Sequence, residues 1–451
     1  MADDSSQHPS PTASPNGPRS VTVVGAGLAG SQSVTELRRS GFTGQVTLLG
    51  AEGVEPYDRP PLSKELLSRT EPAWLRDELG VDLVEADVRL DSPATGLELT
   101  ADGVRVHLAG SVVVADAAVL ATGARAVRVP GWDSALTLHT AADAATLRAA
   151  LVPGARLVVV GAGWIGAEVA GVAARHGVHV TVVEAASAPL AAALGPAVGA
   201  LTVPWYEAAG VRLVVGVGVV AVHPDAVELA DGEVVPADVV LAAVGARPAS
   251  AWLAPTLPLT PDGSVEVDEH YRVLADGRAR TDLVAVGDLA RRRSRRHGWV
   301  PGGHWDGALR GPAVAVQSLL TGRDIPDQRL DVNPAHANLD AFSADAHPSD
   351  ARPADAPPAD PAPYVFSTQL GHELTLHGMP GARDDVVLRQ GDVGFTALWF
   401  TPGTDELTAV LAADRPRDVA AARKLFTGTS LPRLDRATAA DAARPLRDAL
   451  R

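Results

Sequence analysis

Two six-residue glycine turns constrain this chain more than any other feature: Gly25-Ala26-Gly27-Leu28-Ala29-Gly30 and Gly161-Ala162-Gly163-Trp164-Ile165-Gly166. Each follows a short apolar run, Val21 to Val24 and Leu157 to Val160, and each opens a helix-like stretch. A second strand pattern follows each, Gln45 to Leu49 and Val178 to Val183. The order is strand, tight turn, helix, strand, twice over. In such a turn the first glycine permits the bend. The second lets the backbone approach a pyrophosphate, and the third lets the helix pack on the strand. The pyrophosphate then rests on the positive end of the helix. One such turn is weak evidence. Two in matching context point to an α/β chain with two Rossmann-like dinucleotide-binding domains. The alternative is a duplicated fold with one dead site.

The chain has 451 residues, enough for two or three domains. Net charge is −15, from 39 basic and 54 acidic residues, which argues against bulk nucleic-acid binding. No run reaches the ~18 apolar residues of a membrane helix. The first residues are rich in Asp, Ser and Pro, so residues 1–18 are expected to be a disordered tail and not a signal peptide. Cysteine is absent. That excludes disulfides, thiolate metal sites and a redox dithiol, and it fits a cytoplasmic setting. No metal site is expected. Electrons reaching a bound redox cofactor must leave directly for an external acceptor.

Between the turns, Ala117 to Leu120 reads as a buried strand ending at Ala121-Thr122-Gly123. Similar strands end at Gly245-Ala246-Arg247-Pro248 and at Gly287-Asp288. Ligands of open α/β sheets bind beyond such carboxyl ends. From Pro334 to Ala362 Pro and Ala dominate, and Asp340, Asp345, Asp350, Asp355 and Asp360 recur every five residues. That period matches neither helix nor strand, so residues 334–362 read as a flexible acidic linker. Beyond it, Tyr364 to Gln369, Glu373 to His377, Asp385 to Arg389, Phe395 to Phe400 and Leu407 to Leu411 read as strands. Arg417 to Leu425 and Thr438 to Arg444 read as helices. This small α+β domain either covers an active site or makes a dimer contact.

Pro56-Tyr57-Asp58-Arg59-Pro60-Pro61-Leu62-Ser63-Lys64 is the sharpest segment. Its three prolines fix much of the backbone, and Arg59 and Lys64 supply cations. It reads either as a rigid cationic loop beside the first nucleotide or as a surface turn. This loop, the two glycine turns, Ala121-Thr122-Gly123, Gly161 to Glu168, Val244 to Pro248, Gly287-Asp288 and His304-Trp305 together carry a resemblance. The chain resembles the FAD-dependent, NAD(P)H-dependent ferredoxin reductases of oxygenase systems, the rubredoxin and putidaredoxin reductase type. The resemblance covers roughly residues 20–324 well and the C-terminal domain loosely.

The resemblance implies a glutathione-reductase-like arrangement with a C-terminal interface domain. An FAD domain would comprise residues 19–125 and 249–333, an NAD domain 126–248, and the C-terminal domain 363–451. The backbone around Gly25, Gly27, Ala29 and Gly30 would cradle the FAD pyrophosphate. Glu52 would bind ribose hydroxyls, and Val88 would meet the adenine through its backbone. Ala121, Thr122, Gly123, Gly245 and Gly287 would line the cofactors, and Asp288 would accept from the ribityl chain. Arg59 and Lys64 would lie along FAD, and the His304-Trp305 backbone would face the flavin at a helix start. Gly161, Gly163, Ile165 and Gly166 would hold NAD. Glu168 would sit beside the nicotinamide and pair with Lys64, since burying either charge alone is costly. Read without the resemblance, Glu168 is a first-turn helix glutamate open to solvent.

Glu184 ends the strand after the second turn. A carboxylate there accepts from the ribose 2′-hydroxyl and repels a 2′-phosphate, so NADH is expected over NADPH. Arg291, Arg292, Arg293, Arg295 and Arg296 form a basic run in an acidic chain. It is either a docking patch for an acidic [2Fe-2S] ferredoxin or a solvated loop. Several positions depart from the family pattern. His139 replaces an arginine and Gly303 a glutamate, and Phe366 and Thr368 stand where the family has Trp and Asp. Pro312 is expected to kink or end a helix that the family keeps continuous. The expected function is electron transfer from NADH through FAD to a ferredoxin serving an oxygenase or cytochrome P450, in a monomer or homodimer. The alternatives are an NADH oxidase or quinone reductase, an electron-transfer subunit, or a degenerate flavin-binding sensor.

Overall fold

The computed structural model describes residues 17–321 and 360–451. The expected tail up to residue 16 and the expected linker up to residue 359 lie outside the described residues.

The first glycine turn joins β1 (Ser20–Val24) to α1 (Leu28–Arg39), and β2 (Gln45–Leu49) follows. These strands are buried on both faces, which is why they read as unbroken apolar runs rather than alternating ones. They belong to a nine-stranded sheet. Its parallel part runs through Arg278–Ala285, Ala117–Leu120, β1, β2 and Asp87–Arg89. In β1 and β2, Val21 faces Val46 and Val23 faces Leu48, placing both carboxyl ends on one edge.

The second turn repeats the plan with β3 (Arg156–Val160), α2 (Trp164–Arg175) and β4 (His179–Glu184). Its parallel sheet has four strands in the order Arg212–Val215, β4, β3, Val239–Ala242. The chain enters this unit through Ala124–Ala126 and leaves through Ala246–Pro248, and these two strands pair antiparallel.

Helix α3 (Trp305–Thr321) packs against α1. It runs through Pro312, so of the kink or end expected there the end does not occur. An interior proline costs about 3 kcal/mol. Here Ala315, Val316 and Leu319 bury fully beside α1, and that packing outweighs the lost hydrogen bond. Gly311 before it leaves space for the Tyr271 ring, since a Cβ there would sit 2.8 Å from the phenol carbon.

The C-terminal part is a five-stranded antiparallel sheet that starts with β5 (Tyr364–Gln369) and carries the helix Pro416–Leu425. The second expected helix is shorter, Arg436–Ala440. Strand β5 lies against both α2 and α3, so the third domain touches the two dinucleotide units together.

Candidate active site

The six glycines of the two turns divide by role. Gly25 and Gly161 have φ of +112° and +104°, the left-handed region that disfavours a side chain. A Cβ on Gly25 would also collide with the Ala121 carbonyl, and one on Gly30 or Gly166 with the carbonyl of its own turn's first glycine. Gly27 and Gly163 are different. Their φ values, −75° and −79°, suit any residue, and a Cβ there would meet no protein atom within 4 Å. The protein does not need glycine at these two positions; a ligand lying on the backbone does. Each second glycine also caps its helix without a side-chain acceptor, and neither first turn holds an acidic residue. Both turns therefore offer free N–H groups at a positive helix end, which fits a pyrophosphate.

The first turn is closely walled. Ala29 is buried, and a Cβ on Gly287 would lie 2.9 Å from its methyl. Ala121 N donates to Val24 O at 2.7 Å, Thr122 Oγ1 donates to Ala249 O at 2.9 Å, and Gly123 turns with φ +67°. Asp288 accepts from Gly303 N at 3.1 Å. Val88 sits opposite Leu48 on the edge strand. Burial lowers the His304 imidazole below its ordinary value, and Trp305 begins α3. Glu52 is held by its own chain: Tyr57 Oη donates to it at 2.6 Å and Arg59 Nη2 at 2.5 Å. Arg59 also donates to the His139 carbonyl at 2.5 Å, so position 139 is met through its backbone.

The second turn is more open. Ile165 and Val244 remain 43% and 36% exposed beside it, and Gly245 has open space around it at φ +107°. Glu184 accepts from Ala162 N at 2.7 Å and Ala186 N at 2.8 Å, which fixes its carboxylate at the mouth of the turn.

Lys64 and Glu168 form an ion pair between the two units. Helix α2 starts at Trp164, so Glu168 is its fifth residue, beyond the first turn, and only 5% exposed. The solvent-facing glutamate is thus not what the fold makes. Ser63 Oγ donates to one carboxylate oxygen and Ser367 Oγ to the other, each at 2.5 Å. Phe366 places its ring 5.2 Å from the Lys64 ammonium and meets Trp305 edge-on at 6.0 Å. The Trp305 indole N–H donates to Asp58 at 2.8 Å, and burial pushes the Asp58 carboxyl up to about 6. Sequence reasoning missed Asp58, Ser63 and Ser367. Asp58 and Ser63 lie inside the proline loop already singled out. Nothing local marks Ser367 as a partner of Glu168.

The basic run is mostly consumed within the protein. It lies on the strand Ala290–Ser294 and its continuation, so side chains alternate faces. Arg292 pairs with Asp360 at 2.8 Å, and Arg296 donates to the Phe426 and Gly428 carbonyls at 3.0 and 2.9 Å. Arg291 and Arg295 face Glu266 and Glu269. Arg293 is exposed. Asp360, expected in the linker, instead anchors the start of the third domain to this strand.

Among the described residues no helix is long and apolar enough to cross a membrane. Nor does any cluster of His, Asp or Glu among them suit a metal ion. Two dinucleotide-type turns, in two units joined by a lysine–glutamate ion pair, define a two-nucleotide oxidoreductase. Residues 19–307 match the pyridine nucleotide-disulphide oxidoreductase family, and residues 364–450 match the reductase C-terminal family. The chain belongs to the pyridine nucleotide-disulphide oxidoreductase family, although with no cysteine it has no internal disulfide. It is 31% identical over 442 residues to the chlorobenzene dioxygenase ferredoxin reductase component of Cupriavidus sp. (strain PS12), covering 96% of this chain and 97% of that one. A further relative is the biphenyl dioxygenase system ferredoxin–NAD(+) reductase component of Paraburkholderia xenovorans (strain LB400). It is 40% identical over 243 residues, 51% of this chain and 58% of that relative's length. The crystal structure of a covalent putidaredoxin reductase–putidaredoxin complex is similar with a TM-score of 0.80 and 26% identity, over 96% of this chain and 98% of that one.

Proposed function

We propose that this protein is an NADH-dependent ferredoxin reductase, with FAD on the first turn and NADH on the second. The observation that carries the reading is the open space at Gly27 and Gly163, on the turns of two units that the Lys64–Glu168 pair ties together. FAD, when bound, takes up electrons as a hydride and releases them singly to a one-electron acceptor. The chain's own residues do the rest. The N-termini of α1 and α2 hold the two pyrophosphates. Asp288 accepts from ribityl hydroxyls, and Glu184 from the ribose of NADH. Lys64 would keep a cation beside the flavin edge, and Glu168, 5% exposed, neutralises it. Gly245, Ile165 and Val244 flank the nicotinamide end. His304 and Trp305 present backbone at the start of α3, where the helix dipole favours negative charge.

The acceptor is a [2Fe-2S] ferredoxin of an oxygenase or cytochrome P450 system. The names of the relatives and the putidaredoxin complex support that choice. Of the basic run, Arg293 and Arg295 carry the exposed charge available for docking.

The test is an anaerobic absorbance titration of FAD-loaded protein with NADH, followed by addition of ferredoxin. Bleaching at about one NADH per flavin and recovery of colour on ferredoxin are expected. Recovery should slow with added salt, and the salt effect should shrink when Arg293 and Arg295 become Gln. Protein that stays yellow with NADH refutes the proposal.

A further inference from the structure

We infer that Ser367 is a positioning residue for the Lys64–Glu168 pair, so that the C-terminal domain sets the geometry of the hydride-transfer site and does more than cover it. This rests on the function proposed above. Ser367 and Gln369 are each 1% exposed, on the same face of β5. Gln369 Nε2 donates to Ser367 Oγ at 3.1 Å. That bond occupies an acceptor site on the hydroxyl and leaves its single proton to point at Glu168 Oε1, 2.5 Å away. The direction of the bond is therefore fixed: Ser367 donates and Glu168 accepts.

Three donors then hold the carboxylate. Ser63 and Lys64 come from the proline loop of the first unit, Ser367 from the third domain, and Glu168 itself sits on α2 of the second unit. A carboxylate with donors on both oxygens cannot rotate without breaking one, and charge-assisted bonds of this kind are the strong ones. Gly171, on the same face of α2 as Glu168, keeps the strand close. A Cβ there would lie 2.8 Å from Leu370 N. Phe366, from the same strand, stands over the Lys64 ammonium. Strand β5 thus touches both members of the pair.

The test is a double-mutant cycle on the full-length FAD-loaded protein, with Ser367→Ala, Glu168→Gln and both together. It is read as the rate of flavin reduction by NADH and as the denaturant midpoint. Ser367→Ala is expected to slow reduction by about tenfold. In the Glu168→Gln background it should change the rate by less than about twofold, because a residue acting through another has no further effect once that other is gone. The two destabilisations should likewise be non-additive. Additive effects in either readout overturn the inference, because Ser367 then acts independently of Glu168. If Ser367→Ala fails to retain flavin, Gln369→Met, which removes the anchor of the hydroxyl, takes its place in the same cycle. Wild-type protein that NADH cannot bleach defeats the functional proposal. A wild type that bleaches, with an additive cycle, defeats this one alone.

Discussion

The two glycine turns are close copies in backbone, yet their surroundings differ. The first is enclosed: Ala29 packs on Gly287, α1 on α3, and the nearby carboxylate Glu52 is held by the side chains of Tyr57 and Arg59. The second leaves Ile165 and Val244 open, and its carboxylate Glu184 is held only by two backbone amides. An enclosed site suits a resident cofactor; an open one with exposed apolar side chains suits a ligand that comes and goes. The same six-residue motif serves both, and the residues around it set the difference.

The sharpest way to break this comparison is to fill the two open glycines. Gly27→Val should leave the cofactor-free protein within about 1 kcal/mol of wild type in denaturant, since its Cβ meets no protein atom within 4 Å, yet yield colourless protein. Gly163→Val should give yellow protein whose reduction by NADH falls by at least about 100-fold. Flavin loss from Gly163→Val, or retention in Gly27→Val, would reverse the assignment of the two sites.

The first site also stores a cost that has no counterpart at the second. Burial holds Asp58 at about 6 against an ordinary 3.8, so the folded protein keeps a proton that the unfolded chain releases between those values. Stability conferred by that proton is present below about pH 4 and lost as pH rises through 6. Asp58→Asn should remove this slope. It should gain at most about 3 kcal/mol in urea unfolding at neutral pH and nothing near pH 4. An equal effect at both pH values would show that the Trp305 bond, not the buried charge, dominates.

A smaller effect separates the two strand-end carboxylates. Glu184→Ala should narrow the preference for NADH over NADPH by about tenfold, read as the ratio of kcat/KM values. An unchanged ratio would place specificity elsewhere.

Much of this architecture was legible because it is local. A glycine turn between a buried strand and a helix is written in about thirty consecutive residues, and both turns, their strands and the strands of the third domain could be read that way. What escaped is what the fold brings together. Ser367 and Glu168 lie 199 residues apart, and no pattern near either names the other. Pro312 does not end its helix, whose later turn is buried against α1. The arginine run is a like case. Arg292, Ser294 and Arg296 point inward and Arg293 and Arg295 outward, but arginine stands on both faces, so the sequence itself shows no period of two.

The short pairing of Ala124–Ala126 with Ala246–Pro248 is the place where the second dinucleotide unit joins the first. The units also meet away from these strands, through Lys64 and Glu168 and through the Arg59 bond to the His139 carbonyl. Strand β5 is fastened to both, to α2 at Glu168 and to α3 through Trp305. Glu168 is thus a keystone: side chains from all three parts of the chain end on one carboxylate.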